Sequence, residues 1–401
     1  MRRARARGGG RPQRRARRAP RDDLDDARLH GRAHPPVRGL RAPRGAATPR
    51  ARRGDRAGAD AARARARPGL ERRDRGRQER ARAGARRAPP GAPPLSDLAA
   101  HLGGHHRDFD ETLSLVRRAE ALGYRAVYVD GDVSVVPSRG DAAVLDGWTA
   151  TVAYLARTER VEIGSVRLLH HWNVARLAQS VATAECVAPG RLRLLTAIGA
   201  QPADRRFGLP QRPVAERIAW LDEWLGALRG LLAGEVVTLR GRHVELEEAL
   251  VRPTPRGGRM PIEVAAAGAR MLDVVARRAD RWDLNLPPVK RIVAEADAQL
   301  RRACEAIGRD PASLGRSMWV FVRPGDGDEA GVRAAFRRWH PWFRSLPDAA
   351  LAEAVVAGPV GGCRTRVAEI RAELGVDLPV LDLAGLAHDA AARALAAMAG
   401  A

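Results

Sequence analysis

The sequence predicts an α/β fold, a TIM (β/α)8 barrel with an insertion, preceded by a disordered arginine-rich N-terminal tail. Three observations predict it. From residue 94 to 401 strand-like and helix-like segments alternate, and the eight strand-like ones, mostly separated by helices, match the count of a closed parallel barrel. A doubly wound sheet would usually carry a GxGxxG turn after its first strand, and none stands near residue 103. Residues 1–93 consist mostly of Arg, Ala, Gly and Pro, with no aromatic residue and no apolar period of 2 or 3.6, so they cannot repay the entropy of folding. The division is therefore a tail, 1–93, and a barrel domain, 94–401.

The elements follow in order. A first strand lies near 98–102 (LAAHL). Asp108 to Glu111 forms a D-x-x-E capping pattern, after which Phe109, Leu113, Val116, Ala119 and Leu122 recur at helical spacing before Gly123 as a C-cap. Ala126 to Asp130 is a short apolar run suited to a buried parallel strand. Further strands are predicted at 161–168, 192–198, 262–266, 281–286, 317–322 and 378–383. Helices are predicted at 173–186, 213–232, 270–279, 290–307 and 363–374, with Trp220 and Trp224 at i and i+4 marking a core-facing stripe on the second of these.

The formal net charge of +23 is concentrated in the tail: 30 of the 70 basic residues but only 9 of the 47 acidic ones fall in residues 1–93. The barrel domain is almost neutral, so its charge implies no polyanionic partner. Every basic residue of the tail is arginine and Lys290 is the chain's single lysine. Three accounts of the tail stand: GC-rich DNA read upstream of the true start or out of frame, a solvated tail without function, and an arm that binds RNA or DNA. The lack of aromatic interleaving for base stacking weighs against nucleic acid. Cys186, Cys304 and Cys363 are far apart with no CxxC, so three reduced thiols are expected. No run of about 18 apolar residues predicts a membrane span, and no apolar segment follows the N-terminal arginines, so the expected location is the cytoplasm.

Barrel chemistry sits at the C-terminal ends of strands, which directs attention to the residues just after each one. After the first strand, His101, His105 and His106 are able to exchange protons near neutral pH, or simply form a solvated loop. After the second, Asp130 serves a cofactor or proton contact, or caps a turn. After the third come Gly164-Ser165, whose backbone permits close approach to a planar ligand, then His170, His171 and Asn173. Neighbouring His170 and His171 would point in different directions and no HxH or HxxxH pattern exists, so no metal site is expected. The fourth strand ends in small residues around Gly199. The fifth runs through Ala265–Ala267 into Gly268, Ala269 and Arg270, where a helix start and a guanidinium together suit a phosphate group. Trp339 and Trp342 flank His340-Pro341 and either line a substrate lid or pack at the surface. No GxSxG elbow, Walker sequence or paired-carboxylate spacing stands out.

Taken in order, these segments resemble the bacterial luciferase-like family of flavin- and deazaflavin-dependent oxidoreductases. The resemblance rests on DFDETLSLVRRAEALGYRAVYVD (108–130), RTERVEIGSVRLL (157–169), APGRLRLLTAIGA (188–200) with RRFGLP behind it, and ERIAWLDEWLGALRGLLAGEVVTLRGRHVEL (216–246). It continues through PIEVAAAGARMLDVVARRADRW (261–282) and AGPVGGCRTRVAEIRAELGVDLPVL (357–381). It implies a barrel that binds an isoalloxazine-like ring at the strand ends. Asp130, Gly164 and Ser165 would lie near the ring, Asn173 and Gly199 around its edge and chain, and Ala267, Gly268, Ala269 and Arg270 at the phosphate. The AAAGARML stretch is more similar to the deazaflavin branch than to the FMN-dependent monooxygenases. The implied activity is hydride transfer to or from a small organic substrate, with His105 or His101 supplying a proton; the alternatives are an FMN monooxygenase, a nucleic-acid-binding protein with an inert barrel, and a cofactor-binding barrel without turnover. A homodimer is what the resemblance suggests. Four positions depart from the family pattern: Gly131 stands where histidine is common, Arg281 where glycine is, and Val174 and Ala269 where proline is.

Overall fold

The computed structural model describes residues 94–103, 108–129, 131–132, 143–199, 204–255, 257 and 259–400. The expected tail, residues 1–93, lies outside them. Eight parallel strands form the centre: β1 (Ala99–His101), β2 (Ala126–Val129), β3 (Glu162–Leu168), β4 (Leu192–Ala197), β7 (Ile262–Ala266), β8 (Arg281–Leu284), β9 (Gly315–Pro324) and β11 (Leu378–Asp382). They pair in the order β9-β11-β1-β2-β3-β4-β7-β8, and β8 pairs again with β9, which closes the sheet into a barrel. Ala99 stands opposite Val380 on one side and Ala126 on the other, so the first strand joins the last in register.

A helix follows each barrel strand: α1 (Phe109–Ala121), α2 (Gly147–Arg157), α3 (Val174–Val187), α4 (Val214–Ala233), α5 (Ala269–Arg278), α6 (Lys290–Glu305), α9 (Val360–Leu374) and α10 (His388–Met398). The capping box read from sequence is present on α1, where the Asp108 side chain accepts from the Glu111 N–H at 2.7 Å and Glu111 accepts from the Asp108 N–H. Helix α2 is absent from the sequence reading. Gly147 and the β-branched Thr149, Thr151 and Val152 lower its intrinsic propensity, and it is held instead by the Asp146 cap and by burial of Ala150, Thr151, Tyr154 and Leu155.

Two excursions depart from the simple barrel, where the sequence reading expects one insertion. An antiparallel hairpin, β5 (Val237–Arg240) with β6 (Glu245–Ala249), lies between α4 and β7. A longer excursion between β9 and α9 contains α7 (Glu329–Trp339), α8 (Asp348–Ala354) and the short strand β10 (Val355–Gly358), which pairs parallel with the far half of β9. Phe321, Phe336, Phe343, Leu351 and Val355 form its own small core. His340 and Trp342 pack edge-on to Phe321, while Trp339 is exposed.

Parallel strands are covered on both faces, which explains their nearly unbroken apolar runs. Ala99, Ala126, Tyr128, Leu195, Leu378 and Val380 fill the barrel interior, and a larger cluster joins the outer strand face to the helices, with Trp224 buried there as the helical stripe predicts. Toward the strand N-termini the interior is polar. Tyr128 donates to Glu263 at 2.7 Å, and Arg193 donates to Tyr128 at 2.9 Å, to Glu162 at 2.8 Å and to Glu263. Arg281 pairs with Asp377 and extends over Gly315, where an added Cβ would meet its guanidinium at 2.2 Å. Its place in the sequence is thus explained by the barrel floor, the face that carries stability. Cys186, Cys304 and Cys363 are free, as expected.

Candidate active site at the C-terminal ends of the strands

His101 ends β1 and Asp382 ends the neighbouring β11, and this adjacency brings their side chains together. His101 Nδ1 lies 3.2 Å from Asp382 Oδ2, with both side chains buried. An ionised carboxylate only accepts, so the pair places a proton on Nδ1 and, in the neutral ring, makes Nε2 the basic position. The Asp382 carboxylate is itself anchored, since Oδ1 accepts the Ala384 N–H at 3.0 Å. Arg323 donates to the carbonyls of Asp382 and Ala384 at 2.8 and 2.7 Å. Gly103 adopts φ +65 beside this turn, and a Cβ there would lie 2.9 Å from the Ala384 Cβ. The loop after β1 is thus packed onto the loop after β11.

Beneath His101 stands Trp319 of β9, whose ring meets the imidazole edge-on with centroids 4.3 Å apart. Its indole N–H donates to Asp283 Oδ2 at 3.1 Å, and Ser317 donates to the same oxygen at 3.0 Å. Burial pushes the Asp283 carboxyl up to about 7, reinforced by the nearby Glu263 and opposed by these two hydrogen bonds. Sequence patterning hides Asp283 because it sits inside the strand β8, where only closure of the barrel makes its direction inward.

The ends of β2 and β3 are tied by Asp132, which accepts from Arg167 Nη1 at 2.8 Å, from the Leu168 N–H at 2.7 Å and from the Trp172 indole at 3.0 Å. The Arg167 guanidinium is fully buried between Trp148 and Trp172, with 5.7 Å to each ring. Gly131 packs so closely here that a Cβ would lie 2.3 Å from the Val166 carbonyl oxygen. The backbone therefore accounts for the glycine at the position where histidine is common in the resembling family.

The residues expected near a cofactor are placed as follows. Asp130, His105 and His106 lie outside the described residues. Gly164 leaves room for Tyr128, whose ring would lie 2.2 Å from an added Cβ. The Ser165 hydroxyl shares a 2.9 Å hydrogen bond with Thr151 of α2, and the residue is fully buried. Asn173 caps α3, accepting from the N–H groups of Ala175 and Arg176 at 3.1 Å each. Gly199 has φ +59, and a Cβ there would lie 2.6 Å from the His170 ring.

His170 and His171 correct the sequence reading. They lie on a 3-10 turn, Leu169–His171, and their rings stack edge-on at 4.5 Å instead of pointing apart. Both face Asp204, which opens the turn Asp204–Phe207 after β4. His170 Nε2 is 2.7 Å from Asp204 Oδ2, and His171 Nε2 is 3.6 Å from Asp204 Oδ1. Burial lowers the His171 pKa from its ordinary value. Sequence adjacency could not reveal this, because the third member comes from the next strand's loop.

At the end of β7, Ala265 and Ala266 run through Ala267 into the N-terminus of α5, capped by Gly268 without a side-chain hydrogen bond. Gly268, Ala269 and Arg270 are exposed, and an added Cβ at Gly268 would have no neighbour within 4 Å. A helix start of this kind offers N–H groups and positive potential to an anion. The residues present thus fit the phosphate end of a flavin-type coenzyme.

A family model described as luciferase-like monooxygenase matches residues 81–378. Among curated proteins, the chain is 30% identical over 197 residues to an F420-dependent glucose-6-phosphate dehydrogenase of Kineococcus radiotolerans, covering 48% of this chain and 57% of that protein. It is 27% identical over 237 residues to an F420-dependent hydroxymycolic acid dehydrogenase of Mycobacterium tuberculosis, covering 57% and 64%. In both cases the match spans less than two thirds of the relative's length. Among solved structures, an F420-dependent secondary alcohol dehydrogenase in complex with an F420-acetone adduct superposes with a TM-score of 0.65 at 17% identity, over 76% of this chain and 99% of that one. The monooxygenase RslO1 from Streptomyces bottropensis superposes with a TM-score of 0.61 at 20% identity, over 75% and 97%. At these identities the structural likeness speaks for the fold. No helix among the described residues is long and apolar enough to cross a membrane.

Proposed function

The chain belongs to the luciferase-like monooxygenase family, and within it we propose a deazaflavin-dependent oxidoreductase that interconverts an alcohol and a carbonyl on a small organic substrate. The observation that carries the reading is the buried His101–Asp382 pair at the C-terminal end of the barrel, where proton exchange must accompany hydride transfer at a carbinol carbon. The relatives' names support the choice of cofactor and of reaction, since those of K. radiotolerans and M. tuberculosis are called F420-dependent dehydrogenases.

A bound deazaflavin supplies a hydride acceptor or donor that does not readily activate oxygen. The chain's own residues supply the rest. Gly268, Ala269 and Arg270 would hold its phosphate end at the start of α5, with the small residues Ala265–Ala267 allowing close approach. Asp382 keeps the His101 ring oriented and its Nδ1 protonated, so Nε2 takes the hydroxyl proton in oxidation and returns it in reduction. Trp319 supports the imidazole from below and excludes water from that side.

The test is a titration of the purified chain with oxidised F420 and, separately, with FMN, followed by cofactor fluorescence. Saturable F420 binding with FMN indifferent, and F420 reduction by a panel of secondary alcohols and sugar phosphates, is the expected result. Preference for FMN would overturn the hydride-transfer reading in favour of a monooxygenase, and binding of neither would overturn the enzyme.

A further inference from the structure

Three side chains at the ends of β3 and β4 converge without being explained by the chemistry above. One ligand atom each from His170, His171 and Asp204 lies within 4.8 Å of the others. The Asp204 side chain is fully buried and that of His170 nearly so, while His171 keeps 16% of its side chain exposed. One ring nitrogen that faces Asp204, His171 Nε2, is buried without a hydrogen-bond partner. Leaving such an atom unsatisfied is costly unless something else engages it.

The spacing indicates what that would be. At 3.6 Å, His171 Nε2 is too far from Asp204 Oδ1 for a hydrogen bond. Two ligands about 2.0–2.1 Å from one tetrahedral ion stand about 3.4 Å apart, so this gap is the span of a nitrogen–metal–oxygen angle. The His170 Nε2 to Asp204 Oδ2 contact, at 2.7 Å, is a hydrogen bond that would open by roughly 0.7 Å to admit the same ion. Two imidazoles and one carboxylate favour first-row divalent ions over magnesium or calcium. The buried carboxylate supplies negative charge, and His171, with 16% of its side chain exposed, is the side from which an ion would enter.

We propose that His170, His171 and Asp204 form a site for one first-row divalent transition ion, of the zinc, cobalt or ferrous type, which joins the turn after β4 to the end of β3. The site is independent of the coenzyme reading, and its test uses no coenzyme.

The experiment titrates the full chain, stripped of metal with a chelator, with cobalt(II) alone and follows the visible ligand-field bands. One equivalent should bind saturably, give the intense bands of a low-coordinate ion, and be displaced by one equivalent of zinc. Because the chain contains ten histidines, His171→Gln and Asp204→Asn are the deciding variants. Each should weaken cobalt binding at least tenfold and abolish the bands, while thermal melting in chelator shows whether it still folds. His171→Gln, at the partly exposed ligand, keeps the test decisive even if the buried Asp204→Asn does not fold. Absence of a one-equivalent transition in the unaltered chain, or its survival in folded His171→Gln, would overturn the proposal.

Discussion

His101 and Asp382, 281 positions apart in sequence, meet at 3.2 Å because the first and last strands of the barrel are neighbours. This contact makes the parallel pairing of β1 with β11, in register, a condition for an oriented imidazole at the rim.

Removing the imidazole should remove proton exchange without removing the coenzyme. His101→Ala is expected to lower turnover about 10²–10⁴-fold while F420 affinity changes little. Asp382→Asn should lower turnover less and alter its pH profile, because the neutral amide no longer holds a charged ring partner. Stopped-flow F420 reduction over a pH series checks both. Unchanged turnover in His101→Ala would exclude the assigned role.

At the start of α5, folding and the proposed coenzyme binding can be tested separately. Gly268→Asp meets no steric obstacle and adds a capping carboxylate, so stability should hold or rise by a few tenths of a kcal/mol. The added negative charge should weaken a phosphate-bearing coenzyme by about three- to tenfold, more at low salt. Parallel urea melts and fluorescence titrations would reveal whether the two effects diverge as expected.

Asp283 gives a pH dependence of stability with a definite sign. Its carboxyl rises to about 7 in the folded chain from an ordinary 3.8, so the folded state binds more protons between those values and loses stability as pH increases through them. Asp283→Asn removes this loss while its amide oxygen continues to accept from Ser317 and Trp319. The variant should gain on the parent progressively from about pH 4 to 7 and level off above that window at a few kcal/mol, because each tenfold change in proton affinity is worth about 1.4 kcal/mol. Urea unfolding at pH 4.5, 6 and 8 measures it; a difference that does not change with pH would contradict the assignment.

Asp132 holds the only carboxylate seen bonded to the buried Arg167 guanidinium among the described residues. Asp132→Ala leaves that cation buried without its counterion and strips an acceptor from the Leu168 N–H and the Trp172 indole. The expected cost is about 3–5 kcal/mol, visible as a lower denaturation midpoint.

Gly131→His tests whether the family's common histidine can be restored. Its Cβ would lie 2.3 Å from the backbone oxygen of Val166, a collision that backbone movement alone relieves. A loss of about 1–3 kcal/mol or more is expected, with no gain in turnover. A stable and faster variant would show that the strand ends are more adaptable than this packing implies.

The sequence by itself determined the elements whose signal is local. Strand boundaries at β3, β4 and β7 fall within a residue or two of the apolar runs, and the Asp108–Glu111 box marks the start of α1, because strand burial and helix capping are properties of neighbouring residues. The helix start at Gly268–Arg270 was legible for the same reason. Only the tertiary structure decided which side chains meet. It paired His101 with Asp382, turned Asp283 into the interior, set Arg167 between two tryptophans, and drew His170 and His171 around Asp204. Helix α2 also depended on it, since packing compensates there for weak propensity. The physical reason is common to all: a contact between strand ends exists only once register and closure place them side by side, and neither is encoded in the spacing of residues along one segment.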